Sequence, residues 1–215
     1  MMDSPPGVAD LLGVLAYAEL TAFLRFAEDA TRHAPSLTDR AALGGLAAAE
    51  YAHFQLLRDR ISSLGVDPEE AMTPFAGPLD EWHAQTAPGD WLETLMKAYV
   101  GTGIALDFYR EAATRVDDET RDLVEEVLAD EGRSQFAVER VSVAIKEDPR
   151  QSGRLALWAR RLVGEALSQG QHVALARPEL ATLLVPAGDD ITRMFARLTE
   201  AHGRRMAALG LPSRP

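Results

Sequence analysis

Residues 65–88 read GVDPEEAMTPFAGPLDEWHAQTAP, and they decide how the rest of the chain is connected. Pro68, Pro74, Gly77, Pro78 and Pro88 argue against a long helix here, because each proline removes a backbone N–H and crowds the preceding turn. Only Leu79–Ala84 leaves room for a short one. On both sides the spacing of apolar residues is helical. Upstream, Ala9–His33 carries the stripe Leu12, Leu15, Ala22/Phe23, Phe26, and Leu37–Leu64 carries Leu43, Leu46/Ala47, Phe54, Leu57, Ile61, Leu64. Pro35 separates them, Ser36 or Thr38 can cap the second, and Gly65 stops it. Downstream, a third helix spans about Asp90–Val116 and a fourth Glu119–Lys146, with only Asp117-Asp118 between. Short links make antiparallel neighbours, so the chain reads as two helical hairpins joined by one 24-residue crossover. An up-down-up-down bundle needs no such connector.

Past Pro149, a fifth helix over Gly153–Ala176, a turn at 183–189 and a last helix over Asp190–Leu209 add a C-terminal hairpin. No segment alternates with period two, so no sheet is expected. The expectation is one all-α domain: a four-helix bundle over 1–147 and a helical hairpin, 148–215, packed on it.

The polar exceptions within the apolar stripes carry the functional signal. Glu19 interrupts the stripe of the first helix, and Glu50 and His53 interrupt that of the second. The spacing Glu50-x-x-His53 puts both side chains on one face, one turn apart. Glu19 lies 16 residues before Pro35 and Glu50 lies 15 after it, so the two carboxylates share one height in the hairpin. In the fourth helix, Glu131 occupies the buried stripe at a matching height. Uncompensated burial of carboxylates side by side costs several kcal/mol, so a metal ion, a shared proton or buried partners must offset it.

A di-metal carboxylate bundle takes one Glu from each of two helices and Glu-x-x-His from each of the other two. Glu19, Glu50, His53 and Glu131 fit ligand positions, and such donors suit iron or manganese. Ser134 stands where the second histidine belongs, and Thr102 or Gly103 stands where the third-helix carboxylate belongs. Asp107, a weaker candidate, lies one turn closer to the link and Glu111 two. A second reading of the same residues stays open: a metal-free polar core in which Tyr17, Tyr51, Tyr99, Arg133 or Thr102 satisfies the carboxylates.

Composition bounds the rest. At 47% hydrophobic and 26% charged, the chain is of ordinary globular type, and without cysteine it has no disulfide or thiolate chemistry. Met1–Pro6 has no basic segment leading into an apolar core, and no stretch approaches a membrane span, so a cytoplasmic location is expected. The net charge of −11 is polarised: residues 1–147 hold 27 acids against 12 bases, and residues 148–215 hold 10 arginines against 6 acids. Arg160, Arg161, Arg193, Arg197, Arg204 and Arg205 are a candidate phosphate patch, with surface solvation and salt bridges to the acidic bundle as the simpler reading. His33, His83, His172 and His202 read as ordinary surface or satisfied histidines. Trp82 and Trp91 read as anchors of the crossover, and Trp158 as an anchor of the fifth helix. Gly101-x-Gly103 lies inside a helix and is no phosphate loop.

The segments AYAELTAFLRFAEDA (16–30), AAAEYAHFQLLRDRISSLGVDP (47–68), KAYVGTGIALDFYREAA (97–113) and VLADEGRSQFAVERV (127–141) resemble the ferritin-like superfamily. More narrowly, they resemble its bacterial tRNA-isopentenyladenosine hydroxylase-like group. LALWARRLVGEALSQ (155–169) and AHGRRMAALGL (201–211) extend the likeness over nearly the whole chain. The resemblance implies a ferritin-like fold and a non-haem di-iron centre that activates O₂ to hydroxylate a modified adenosine of tRNA. On that reading Glu19, Glu50, His53 and Glu131 are ligands, while Tyr99, Thr102 and Gly103 border the place for oxygen and substrate. Two functions follow: an iron or manganese oxidoreductase acting on tRNA or a small molecule, or a ferritin-like structural or binding protein that has lost catalysis. A homodimer is expected in either case, with no membrane and no DNA partner.

Overall fold

The computed structural model describes residues 7–112, 115–129, 133–185 and 189–211. All regular structure among them is helical: α1 (Val8–Arg32), α2 (Leu37–Ser63), α3 (Pro68–Gln85), α4 (Trp91–Ala112), α5 (Asp118–Val127), α6 (Arg133–Glu147), α7 (Arg150–Ala176), α8 (Pro178–Leu184) and α9 (Ile191–Ala208). No described helix is long and apolar enough to cross a membrane.

α1 and α2 form the first hairpin and share the most extensive helix contact. Ser36 caps α2, its hydroxyl accepting from the Asp39 N–H at 3.0 Å, and Gly65 follows the helix at φ 77°. α4 packs against α6 and α7, and α5 packs against α2, which closes the bundle around two apolar cores. One core gathers Leu11, Leu12, Leu57, Ile61 and Val124; the other gathers Leu95, Met96, Val141, Leu155 and Leu162.

The crossover is the main departure from expectation. Residues 68–85 form a continuous 18-residue helix that contains Pro74 and Pro78, where only a short helix at 79–84 was expected. Pro68 fits because it occupies the first turn, whose N–H groups have no helical partner, while the Asp67 carboxylate accepts from the N–H groups of Glu69 and Glu70 at 2.8 and 3.0 Å. Pro74 and Pro78 are one turn apart, so their losses fall on one side of the helix. Ala71, Phe75 and His83 are buried at helical spacing, largely against α1, and the half-buried prolines border that face. Trp82 then fixes α3 to α7, its indole N–H donating to the Leu162 carbonyl at 3.0 Å.

The second departure is in the expected fourth helix, which is two helices, α5 and α6. Their apolar residues serve different cores: Val124, Val127 and Leu128 enter the first, Ala137 and Val141 the second. One straight helix would present a single stripe to a single core. α7 begins three residues earlier than expected, and α8 reaches Leu184. α9 packs on α4, where Arg205 holds Asp107. Trp158 anchors α7 to the start of α4, donating to the Glu93 carbonyl at 3.1 Å.

Candidate metal centre and the chamber beside it

Glu19 lies at the middle of α1, and Glu50 and His53 at the middle of α2, one turn apart on the face turned toward α1. Glu19 is 6% exposed and Glu50 3%, so both carboxylates are out of bulk water. His53 Nδ1 lies 3.4 Å from Glu19 Oε2 and 4.0 Å from Glu50 Oε2. One donor atom from each residue falls within 4.8 Å of the others. Two donors bound to one ion at about 2.0–2.2 Å each sit about 3 Å apart, so this spacing closes on a shared cation with small side-chain adjustments. Two carboxylates and an imidazole also suit iron or manganese better than copper(I) or a thiolate-seeking metal. The described residues therefore fit a metal.

Glu131 lies outside the described residues. Asp107 is buried in α4, away from this group: its carboxylate accepts from Arg205 at 2.5 Å and from Arg110 at 3.2 Å. Tyr99 packs in the second core, with its hydroxyl donating to the Arg205 carbonyl at 3.4 Å. Thr102 lines the large chamber beside Glu19, and also a small void that it shares with Tyr99 and Ser134. Gly103 makes room for Arg205 rather than for a ligand, since a Cβ there would stand 2.7 Å from the guanidinium carbon.

The chamber has a volume of about 260 Å³ and lies among α1, α3, α4, α7, α8 and α9. Glu19 and Glu50 form part of its wall midway along, and most of the remaining lining is aliphatic or aromatic. One end is different. Thr21, Arg25, Asp29, His83, Thr94 and Lys97 converge there. Lys97 is 8% exposed; its ammonium donates to the Thr86 carbonyl at 2.8 Å and sits 4.8 Å from the Trp82 ring centre. Burial lowers its pKa to about 8, with Asp29 opposing the shift and Arg25 adding to it. His83, with Nε2 at 3.3 Å from the Thr21 hydroxyl, is driven down to about 3 by burial and then by the Lys97 and Arg25 charges. Burial raises the Asp29 carboxyl, against the pull of His33 and Lys97.

Sequence reasoning passed over this polar end. The signal was nonetheless of the same kind as at Glu19: Lys97 stands in the inward stripe Thr94, Lys97/Ala98, Gly101, and Asp29 continues the stripe Ala22, Phe26. His83 is buried. So is His202, whose pKa falls to about 4 through burial and the neighbouring Arg205. Three of the six arginines of the candidate patch are closely paired with carboxylates, Arg197 with Glu111 and Asp189, Arg204 with Glu200 and Arg205 with Asp107.

No curated protein matches the sequence. The family described as "Ferritin-like domain, actinomycetes" matches residues 4–187, which takes in the hairpin bearing Glu19, Glu50 and His53 and extends through α8. With most of its length matched, and with a helical bundle whose hairpins are joined by a long crossover, the chain belongs to this ferritin-like family.

Proposed function

We propose that this protein is a metal-binding oxidoreductase of the ferritin-like class, with iron or manganese held by Glu19, Glu50 and His53. Glu131, by its sequence position, completes the ligand set. The observation that carries the reading is that two buried carboxylates at the wall of an apolar chamber each bring a donor atom within 4.8 Å of the other's and of an imidazole nitrogen. A metal bound there supplies one-electron chemistry toward O₂, the chemistry used to hydroxylate unactivated C–H bonds.

The residues of the chain do the rest. Glu19 and Glu50 offset the charge of the cation, and His53 adds a neutral donor when its imidazole is unprotonated. The apolar lining excludes water and presents a hydrocarbon substrate side-on to the carboxylates. Thr102, which lines the same chamber, is a candidate to orient a polar group of the substrate. The reading favours a small molecule over tRNA, because Arg197, Arg204 and Arg205 already meet carboxylates within 2.5–3.0 Å. Asp107 is engaged by Arg205 and Ser134 replaces a histidine, so the reading requires only one tightly held ion.

The test is metal content after anaerobic loading with Fe(II) or Mn(II) and desalting. Wild type is expected to retain metal, and Glu19→Gln, Glu50→Gln and His53→Ala to lose most of it. Wild-type protein that retains no more than the Glu50→Gln variant would overturn the proposal.

A further inference from the structure

We propose that the chamber is a binding site for a single-chain amphiphile with a carboxylate head, the head held by Lys97 and Arg25 and the chain lying past Glu19 toward Met194 and Phe195. This deepens the functional reading by naming the substrate class, and it rests on that reading only for the role of the metal.

Shape comes first. On α1 the lining runs from Val14 to Asp29, and on α4 from Thr94 to Phe108. At 1.5 Å per residue each run is about 20 Å long, so the chamber is a channel rather than a round pocket. Asp29 near the end of α1 and Lys97 near the start of α4 line the same end of the chamber, while Leu11 and Leu12 at the start of α1 share a core with Tyr109 and Ala112 at the end of α4, so the two helices run antiparallel along the channel. Phe108, Leu184, Met194, Phe195 and Leu198 line the far end, a surface with no charge to attract a polar group. An elongated apolar channel of this kind accommodates a hydrocarbon chain and leaves a branched or polar molecule unsatisfied.

Charge sets the direction. At the polar end the ionised lining groups are Arg25, Lys97 and Asp29, an excess of one positive charge, and His83 is neutral. Lys97 has three N–H donors, and one hydrogen bond, to the Thr86 carbonyl, is formed. No carboxylate lies within ion-pair distance of it among the described residues: Asp29 is nearest in charge, but its ion contact is with His33 at 3.9 Å. A buried ammonium in this state is stabilised by an anion that displaces water and accepts its remaining donors. Arg25 is half exposed and meets Glu28 at 3.3 Å on the outer side, so it contributes less. Midway along, Glu19 and Glu50 repel a carboxylate, so an anionic head is driven to the Lys97 end and the chain crosses the candidate metal centre. Arg25 is six residues from Glu19, so the head sits about 9 Å along the axis from that centre. The reacting carbon would therefore be in mid-chain.

The experiment is calorimetric titration of chelator-treated full-length protein with dodecanoate and with dodecanol. Wild type is expected to bind one dodecanoate per chain. Lys97→Met is expected to weaken dodecanoate about tenfold or more, the size of a lost charge-assisted hydrogen bond, and to leave dodecanol within about threefold. Arg25→Gln, at an exposed position that does not threaten folding, is expected to weaken dodecanoate by a few-fold only. Ala105→Trp, which fills the channel, is expected to abolish binding of both. No saturable binding of dodecanoate, or equal loss of both ligands in Lys97→Met, overturns the proposal. Because metal is absent throughout, dodecanoate binding alongside failed metal loading sinks the oxidoreductase reading alone, and metal loading without dodecanoate binding sinks this one alone.

Discussion

Arg205 of α9 holds Asp107 of α4 at 2.5 Å, although 98 residues separate them, and its guanidinium lies against the bare Cα of Gly103 one turn away. Asp107 is 7% exposed and the Arg205 side chain 18%, so the pair is largely withdrawn from water. α9 lies beyond the part of the chain that matches the family, yet this contact latches it to the central bundle. A carboxylate that the spacing alone made a weak candidate ligand thus has a structural role.

The latch predicts a particular pattern of non-additivity. Arg205→Ala leaves the Asp107 charge without its main partner and is expected to cost about 3 kcal/mol. Gly103→Ala puts a methyl group into the guanidinium and is expected to cost about 2 kcal/mol, despite the higher helix propensity of alanine. In the Arg205→Ala background the clash is gone, so Gly103→Ala should turn neutral or stabilising by up to about 1 kcal/mol. Urea denaturation of the four proteins measures the cycle; simple additivity would refute the packing account.

A second close approach fixes α3. A Cβ at Gly13 of α1 would run into the backbone carbonyl of Ala71, which cannot rotate aside as a side chain can. Gly13→Ala is expected to destabilise by about 2–3 kcal/mol, whereas Gly44→Ala, which meets nothing within 4 Å, should stabilise by up to about 1 kcal/mol. The two variants, compared in one melting series, separate loss of space from gain of helix propensity.

These contacts mark the limit of what residue spacing could reveal. Glu19, Glu50 and His53 were legible because a charge inside an apolar stripe is anomalous without reference to any other part of the chain. Asp107 was not resolvable, since its partner is on a helix 98 residues away and only packing brings them together. α3 was missed for a different reason. Pro74 and Pro78 lower intrinsic helicity, but Ala71, Phe75, Leu79 and His83 repeat every four residues, and burial of Ala71, Phe75 and His83 outweighs the propensity. The four-residue repeat was available in the sequence and was hidden by the weight given to proline. The split between α5 and α6 was hidden too, because two short stripes in line read as one until two separate cores are seen.

Acid should act through the buried histidines. The ordinary histidine pKa is about 6.5, and the folded protein lowers His202 to about 4 and His83 to about 3. Both depressions come first from burial, His202 being 5% and His83 9% exposed. As pH falls through 6.5 the unfolded chain takes up protons that the folded chain refuses, so stability declines from there down toward pH 4. The loss amounts to a few kcal/mol per histidine at the acid end. Asp29, with its folded-state pKa raised, works in the opposite direction over the carboxylate range. A His83→Gln/His202→Gln variant should lose markedly less stability between pH 6.5 and 4 than wild type. Parallel urea-midpoint profiles for the two proteins would mean that neither histidine is held neutral.

The candidate metal centre makes its own stability prediction. Glu19 and Glu50 come from opposite helices of one hairpin and are 6% and 3% exposed, with His53 Nδ1 at 3.4 and 4.0 Å from their nearer oxygens. A divalent cation converts that cluster from a destabilising concentration of like charge into a cross-link between α1 and α2. Ligand binding to the folded state alone stabilises it by about 2.7 kcal/mol at a hundredfold excess over Kd, which for a chain of this size raises Tm by about 5–10 °C. Chelator-treated wild type should therefore gain that much on addition of Mn(II) or anaerobic Fe(II), while Glu50→Gln should gain nothing. Without metal, Glu50→Gln should melt no lower than wild type, since the substitution removes one of two neighbouring buried charges at nearly constant volume. His53→Ala keeps both carboxylates and should show a reduced gain, which distinguishes loss of a ligand from loss of charge. Calorimetric melting of the three proteins with and without metal decides the matter: equal Tm values across the wild-type pair would assign Glu19, Glu50 and His53 to a metal-free polar core.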